Sequence, residues 1–410
     1  PYSGSNPDDA FSPGTIGRRP HDRFHWVRSW RTARYVTDPK QGGAVADSTP
    51  DVRRFLSVDR VLLVLLLSVP VTLTMVWGFG QHGTPVFIAA AVSIIPLAGY
   101  MGRATERLSE HLGAGWGGFL NATFGNAAEL IIAIMALRAG LMDVVKASLT
   151  GSIIGNLLLV LGLSILVGGL KFPPIQRFNR TAASMGATML LLAAVGLVLP
   201  AIFHQVVGEG AAGRERGLSL DISIVLMATY VLGLVFSFRT HSHLYLGTGA
   251  AMDHGSAAGD HPQRGGASRA LGLLLLSAAA IGVMSELMVG ALEEAAHDLG
   301  MNQVFVGVIL VALVGNAAEH STAVLMAAKN KMDLSVNIAV GSSIQIAMFV
   351  APLLVFLSYA IGPAPMDLHF TSLEVVAVVL STGVMALVSL DGESHWMEGV
   401  QLLAVYVMLG

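Results

Sequence analysis

The chain has 410 residues, with 24 Lys and Arg against 27 Asp and Glu, and only 12% of it is charged, where soluble domains carry about 25%. Apolar residues make up 53%, and mean hydropathy is +0.66. These values exclude a soluble globular domain, a disordered chain and a nucleic-acid binder. The absence of Cys excludes disulfides, thiolate metal sites and Cys nucleophiles.

In chain order, residues 1–57 come first. They are polar and turn-rich, carry Arg18, Arg19, Arg23, Arg28, Arg31 and Arg34, and lack the apolar core of a signal peptide. They read as a basic tail, disordered or cytoplasmic. Eleven apolar runs follow, at 61–79, 84–102, 119–139, 147–170, 181–203, 220–240, 269–290, 303–327, 335–361, 371–390 and 396–410. A helix that crosses a bilayer needs about 20 apolar residues. The expected fold is therefore an all-α integral membrane protein of about eleven transmembrane helices. One extra N-terminal helix (58–83) precedes five spans (84–240). A linker (241–268) with His241, His243, His254 and His261 separates these from five more (269–410). The chain begins on Pro1 and stops inside a short apolar run, so both ends, and the last helix, read as fragmentary.

With the N-terminus inside and the spans alternating, 20 of the 24 cations fall on the inner side. Only Arg138, Lys146, Arg214 and Arg216 fall outside. This bias is the one that sets membrane orientation.

The pentapeptide Gly-Asn-Ala-Ala-Glu occurs at 125–129 and again at 315–319. The same offset of 190 maps Met142-Asp143 onto Met332-Asp333 and Gly151-Ser152 onto Gly341-Ser342. Without a gap, 125–156 and 315–346 share 11 identities in 32 positions. The copies lie five spans apart, an odd number, so they cross the membrane in opposite directions. Inverted duplication of this kind is typical of secondary transporters, whose substrate site lies at the midplane between the halves.

A carboxylate inside a span costs about 2.5–3.5 kcal/mol on insertion scales. Glu129 and Glu319 carry that cost in both copies. Two midplane carboxylates without Lys or Arg call for a cation, and together they balance one divalent ion. Hard cations such as Ca²⁺ take oxygen ligands. Asn126 and Asn316 precede each Glu by three residues, on the same helix face. Ser152 and Ser342 match between the copies; Asn156 follows the first by four residues and Gln345 the second by three. Singly, each of these side chains fits a helix–helix hydrogen bond; as a symmetric set they suit a metal site. Softer metals are disfavoured, since the nearest imidazole is His320. Without a cation the carboxylates repel each other, so protons and metal compete for them. Loaded-only conformational change would then make an exchanger.

The stretches Gly102–Glu106 and Gly118–Ile132 resemble the first signature of the calcium/proton exchanger family, in the cation/Ca²⁺ exchanger superfamily. Gly315–His320 with Gly341–Gln345 is similar to the second, and Thr240–Tyr245 also looks familial. The resemblance covers about 84–410. It implies eleven spans, five plus five after a poorly matched first helix. It also implies Ca²⁺ and H⁺ shared by one Glu per repeat, helped by the Asn, Ser and Gln named above. The His-rich linker departs from the acidic run of many members.

Other candidates are weaker. Glu286 lies inside the seventh span, but Pro96 takes its place under the repeat, so it reads as a vestibule or interfacial carboxylate. His320 adjoins Glu319 on another face and reads as a packed or vestibule side chain. Glu374 opens the tenth span. No HExxH, P-loop or GxSxG motif supports an enzyme, and no cofactor is expected. The alternatives are a Na⁺-driven or Mn²⁺/Mg²⁺ exchanger and, from another class, a cation channel; an intrachain inverted repeat suits alternating access better than a pore. A prokaryotic inner membrane is the first expectation for location and a vacuolar membrane the second.

Overall fold

The computed structural model describes residues 58–207, 212–241 and 266–409. The basic tail and most of the linker, with His243, His254 and His261, lie outside the described residues. Eight helices are long and apolar enough to cross a membrane. They are α1 (Arg60–Gly78), the Thr84–Leu112 part of α2, α4 (Met142–Lys171), α5 (Arg180–Val207), α6 (Gly213–Thr240), α7 (Gly266–Gly290), α9 (Gln303–Ala327) and α10 (Met332–Ile361). The helix α2 as a whole runs Thr84–Phe124. Shorter helices are α3 (Ala127–Arg138), α8 (Leu292–Asp298), α11 (Ser372–Val388) and α12 (Trp396–Leu409). The protein is an all-α membrane protein. Its long helices are rich in Ala, Leu and Val around their full circumference, as lipid-embedded helices are.

Two sequence expectations change in detail. The polar stretch 103–118 continues as helix within α2 instead of forming a loop. Its first ten residues contain good helix formers and no Pro, and polarity alone does not stop a helix. A Gly-rich bend then turns the chain: a Cβ on Gly117 would lie 2.3 Å from the Ser109 carbonyl oxygen, whereas eight residues of straight helix span about 12 Å. Glycine clusters are a recognised cause of sharp kinks. The expected third run, 119–139, is split between the end of α2 and α3, with Gly125 and Asn126 at the joint.

The buried apolar residues form two cores. One joins α4–α6 with α9–α12. The other joins α1, α2, α7 and α8, where α2 and α7 pack along each other. The helix α3 straddles them, with Ala127, Ala128 and Ile132 in the second core and Ala133, Ala136 and Leu137 in the first.

One two-residue antiparallel pair breaks the helical pattern. It joins β1 (Gln176–Arg177) to β2 (Glu393–Ser394). Beside it the buried Gln176 amide donates to the Ala327 carbonyl (3.2 Å) and to Asn330 Oδ1 (2.9 Å). Asp333, in the first turn of α10, accepts the Asn179 N–H. The connections α4–α5, α9–α10 and α11–α12 are thereby fastened together at one end of the bundle.

Candidate cation site

The repeated motifs meet where the two cores adjoin. Asn126 ends the joint between α2 and α3 with non-helical torsions (φ −100°, ψ 30°), which frees its side chain from the helix stack. Ser342 Oγ donates to Asn126 Oδ1 (2.8 Å), and Asn126 Nδ2 donates to Gln345 Oε1 (2.8 Å). Across the site the reciprocal pair forms, with Asn316 Nδ2 donating to Ser152 Oγ (2.9 Å). The Asn of each copy therefore meets the Ser of the other. Asn156 Nδ2 donates to Ser342 Oγ (3.0 Å), and its Oδ1 lies 3.0 Å from His320 Nε2.

The two carboxylates are related in the same way. A Cβ on Gly315 would sit 3.0 Å from Glu129 Cγ, and one on Gly125 would sit 3.7 Å from Glu319 Oε1. Each Glu thus lies against the motif glycine of the opposite copy. None of the ion pairs between described residues involves either one. Asn126, Glu129, Ser152, Asn156, Asn316 and Ser342 are all buried; Glu319 and Gln345 are half-buried.

Two acceptors in this group lack any partner although fully buried: Glu319 Oε2 and Asn316 Oδ1. A buried acceptor without a donor costs about 1–3 kcal/mol, and more when charged, so the arrangement favours a positively charged visitor. Among the described residues no three His, Cys, Asp or Glu converge as a ready metal cluster; the remaining oxygens here are amide and hydroxyl. An oxygen-only donor set of that kind suits a hard cation. Helix irregularities flank the site. The helix α4 carries a π-helical turn at Gly155–Val160, α10 one at Ile346–Val350 and α9 one at Val306–Val311. Such turns occur mostly at functional positions.

All eight residues expected to hold metal, Glu129, Glu319, Asn126, Asn316, Ser152, Ser342, Gln345 and Asn156, are thus gathered into one neighbourhood. The hydrogen bonds of Asn156 and Gln345 run to the other copy, to Ser342 and Asn126, as helix–helix contacts. His320 turns toward Asn156 and joins the network. Glu286 is exposed on the surface of α7, away from it. Glu374 serves α11 as a helix cap, in a capping box with Thr371. Thr150 and Lys146 of α4, absent from the sequence-based set, make buried or half-buried polar contacts within two turns of Ser152. A polar pair at i, i+4 in an apolar helix was the available signal.

A sequence model described as sodium/calcium exchanger protein matches residues 82–239 and 269–409. The chain is 43% identical over 361 residues to a Ca²⁺/H⁺ antiporter of Synechocystis sp., covering 86% of this chain and 96% of that protein. It is 44% identical over 350 residues to the Ca²⁺/H⁺ antiporter ChaA of Bacillus subtilis, covering 85% and 97%. The solved structure of native YfkE superposes with a TM-score of 0.72 at 42% identity, over 85% of this chain and 98% of that one. By the family match over most of its length and by these relatives, the chain belongs to the sodium/calcium exchanger protein family.

Proposed function

We propose that the protein is a secondary active transporter, not an enzyme, that exports Ca²⁺ from the cytosol in exchange for protons by alternating access. The observation that carries this reading is the pair of repeat-related glutamates, Glu129 and Glu319, each beside the motif glycine of the other copy, with Glu319 Oε2 and Asn316 Oδ1 left unpartnered. Glu129 and Glu319 bind Ca²⁺ and take protons when it leaves; Asn126, Asn316, Ser152, Ser342, Gln345 and Asn156 supply or orient further oxygens. The bacterial Ca²⁺/H⁺ antiporters it resembles support this cargo. The architecture we infer is an extra helix (58–83), two inverted five-helix repeats (84–240 and 269–410) and the linker (241–268). Its N-terminus lies on the cytosolic side of a prokaryotic plasma membrane.

The test is ⁴⁵Ca²⁺ uptake into proteoliposomes driven by a pH gradient, with Mn²⁺, Mg²⁺ and Na⁺ as competitors. Uptake that collapses with the pH gradient and is lost in both Glu129→Gln and Glu319→Gln is expected. Uptake driven by Na⁺ without a pH gradient points to the Na⁺-coupled alternative, and single-channel conductance to a pore. Unchanged uptake in either variant sinks the site assignment.

A further inference from the structure

Three consecutive residues of α4 face three different neighbours. Thr150 Oγ1 donates to Glu374 Oε1 of α11 (3.0 Å). Gly151 lies so close to α9 that a Cβ would sit 2.0 Å from the Val308 carbonyl oxygen. Ser152 Oγ accepts from Asn316 of the candidate site (2.9 Å). Two residues along a helix turn the side chain by about 200°, so the Glu374 contact and the Asn316 contact grip α4 from opposite sides at one level. One turn away, on the Thr150 face, Lys146 Nζ bonds Asp367 Oδ1 (2.7 Å) and the His369 carbonyl (2.9 Å). That ties α4 to the 362–371 connection. This connection is itself fixed: Met366, Leu368 and Phe370 are buried, and the Leu368 N–H donates to Ser219 Oγ of α6.

Glu374 is only 9% exposed. Its Oε2 is occupied by capping α11, accepting from the Thr371 N–H (3.0 Å) and hydroxyl (2.7 Å). The cap does not need Oε1, yet Oε1 takes the Thr150 hydroxyl. The second repeat lacks the device. Under the offset of 190, Lys146 becomes Val336, Thr150 becomes Val340 and Glu374 answers to Ser184; there Val340 packs on Gly186. Polar ties have direction, whereas an apolar contact lets a helix rotate and slide.

We propose that Glu374, acting through Thr150, and Lys146, acting through the 362–371 connection, are positioning residues of the cation site that fix the rotation of α4 aiming Ser152 at Asn316. This rests on the exchange activity proposed above. The decisive variant is Thr150→Val, which removes the Oε1 tie and leaves the α11 cap intact. In proteoliposomes with the full chain, Thr150→Val and Lys146→Met are each expected to raise the Ca²⁺ KM about five- to tenfold, with Vmax changed less than about twofold. Lys146→Arg and Glu374→Gln restore most of the affinity, since both keep a polar partner. In a Ser152→Ala background the Thr150→Val shift falls below about twofold, the non-additivity of residues acting as one unit. Where Glu374→Ala fails to fold, Thr150→Val carries the test. A wild-type KM in both Thr150→Val and Lys146→Met overturns the proposal, and so does an equal shift with and without Ser152. A wild-type protein that moves no Ca²⁺ under a pH gradient removes the proposed function, and this role with it.

Discussion

The two copies of Gly-Asn-Ala-Ala-Glu are identical in sequence and unlike in structure. At Gly125–Asn126 the helix breaks, and the Asn126 amide spends both ends on the other copy, donating to Gln345 and accepting from Ser342. At Gly315–Asn316 the helix runs through unbroken, Asn316 bonds Ser152 and the Ala312 carbonyl, and its oxygen has no partner. The flanks differ too. Gly151 is pressed against the Val308 backbone, while its counterpart Gly341 has no atom within 4 Å of a Cβ. The polar pair His320–Asn156, one residue from each copy, stands where the offset puts Leu130 and Ile346. A transporter made of inverted repeats is exposed to one side at a time when the two copies adopt different conformations. The tight contact at Gly151 and the open space at Gly341 are one local sign of such a difference.

This comparison can be broken in several places. The largest effect is expected from the carboxylates, which remain equivalent despite the asymmetry around them: Glu129→Gln and Glu319→Gln should each abolish pH-driven ⁴⁵Ca²⁺ flux. An active single variant would show that only one copy holds the cation. Next come the glycines. Gly151→Ala forces a methyl into the Val308 backbone and should lower stability by about 1–3 kcal/mol, the usual cost of overpacking. Gly341→Ala should cost less than about 1 kcal/mol yet slow transport, because the reverse conformation needs that space. Thermal unfolding in detergent, set beside flux, separates the two. Equal destabilisation by both substitutions would mean that the two glycines are packed alike.

Making the halves more alike is a milder perturbation. His320→Leu with Asn156→Ile replaces the polar pair by the residues at the offset positions. The double variant should fold, keep both glutamates and transport more slowly, with an altered dependence on inner pH; flux at several inner pH values would read it. The smallest expected effect lies away from the site. His369 stacks on His204 (ring centroids 4.0 Å apart) above Lys146. Burial, then the charges of His204 and Lys146, hold its imidazole below the ordinary 6.5, against the pull of Asp367 and Glu215. The folded protein therefore disfavours the protonated ring. Stability is full above the unfolded value and declines as pH falls from 6.5 through the lower folded value. His369→Phe, which keeps the stack without the proton, should flatten that decline between neutral and mildly acidic pH in a melting series.

How much of this was legible beforehand depended on what kind of signal each feature leaves. Glu129, Glu319 and the paired Asn and Ser stood out because an ungapped offset repeats them and because carboxylates in apolar runs are costly. The helical runs stood out because the bilayer fixes their length. Periodicity, however, reports which face a residue occupies and not what waits opposite it. A helix–helix hydrogen bond could be expected of Asn156 and Gln345, but not that their partners would be Ser342 and Asn126 of the other repeat. The Gly-rich bend between Ser109 and Gly117 hid inside a polar stretch that resembled a loop. Glu374 looked like one more interfacial acid, since nothing in its local sequence points 224 residues back to Thr150.

The bend between Ser109 and Gly117 makes α2 a crank. One arm, Thr84–Leu112, lies along α7 in the core shared with α1 and α8. The other arm ends at Gly125, beside Gln345 and Glu319. Only a short Gly-rich stretch of backbone separates the arm packed on α7 from the residue beside Glu319. The α2–α7 helix pair and the candidate cation site are thus joined by one continuous backbone, with no side-chain contact needed to connect them.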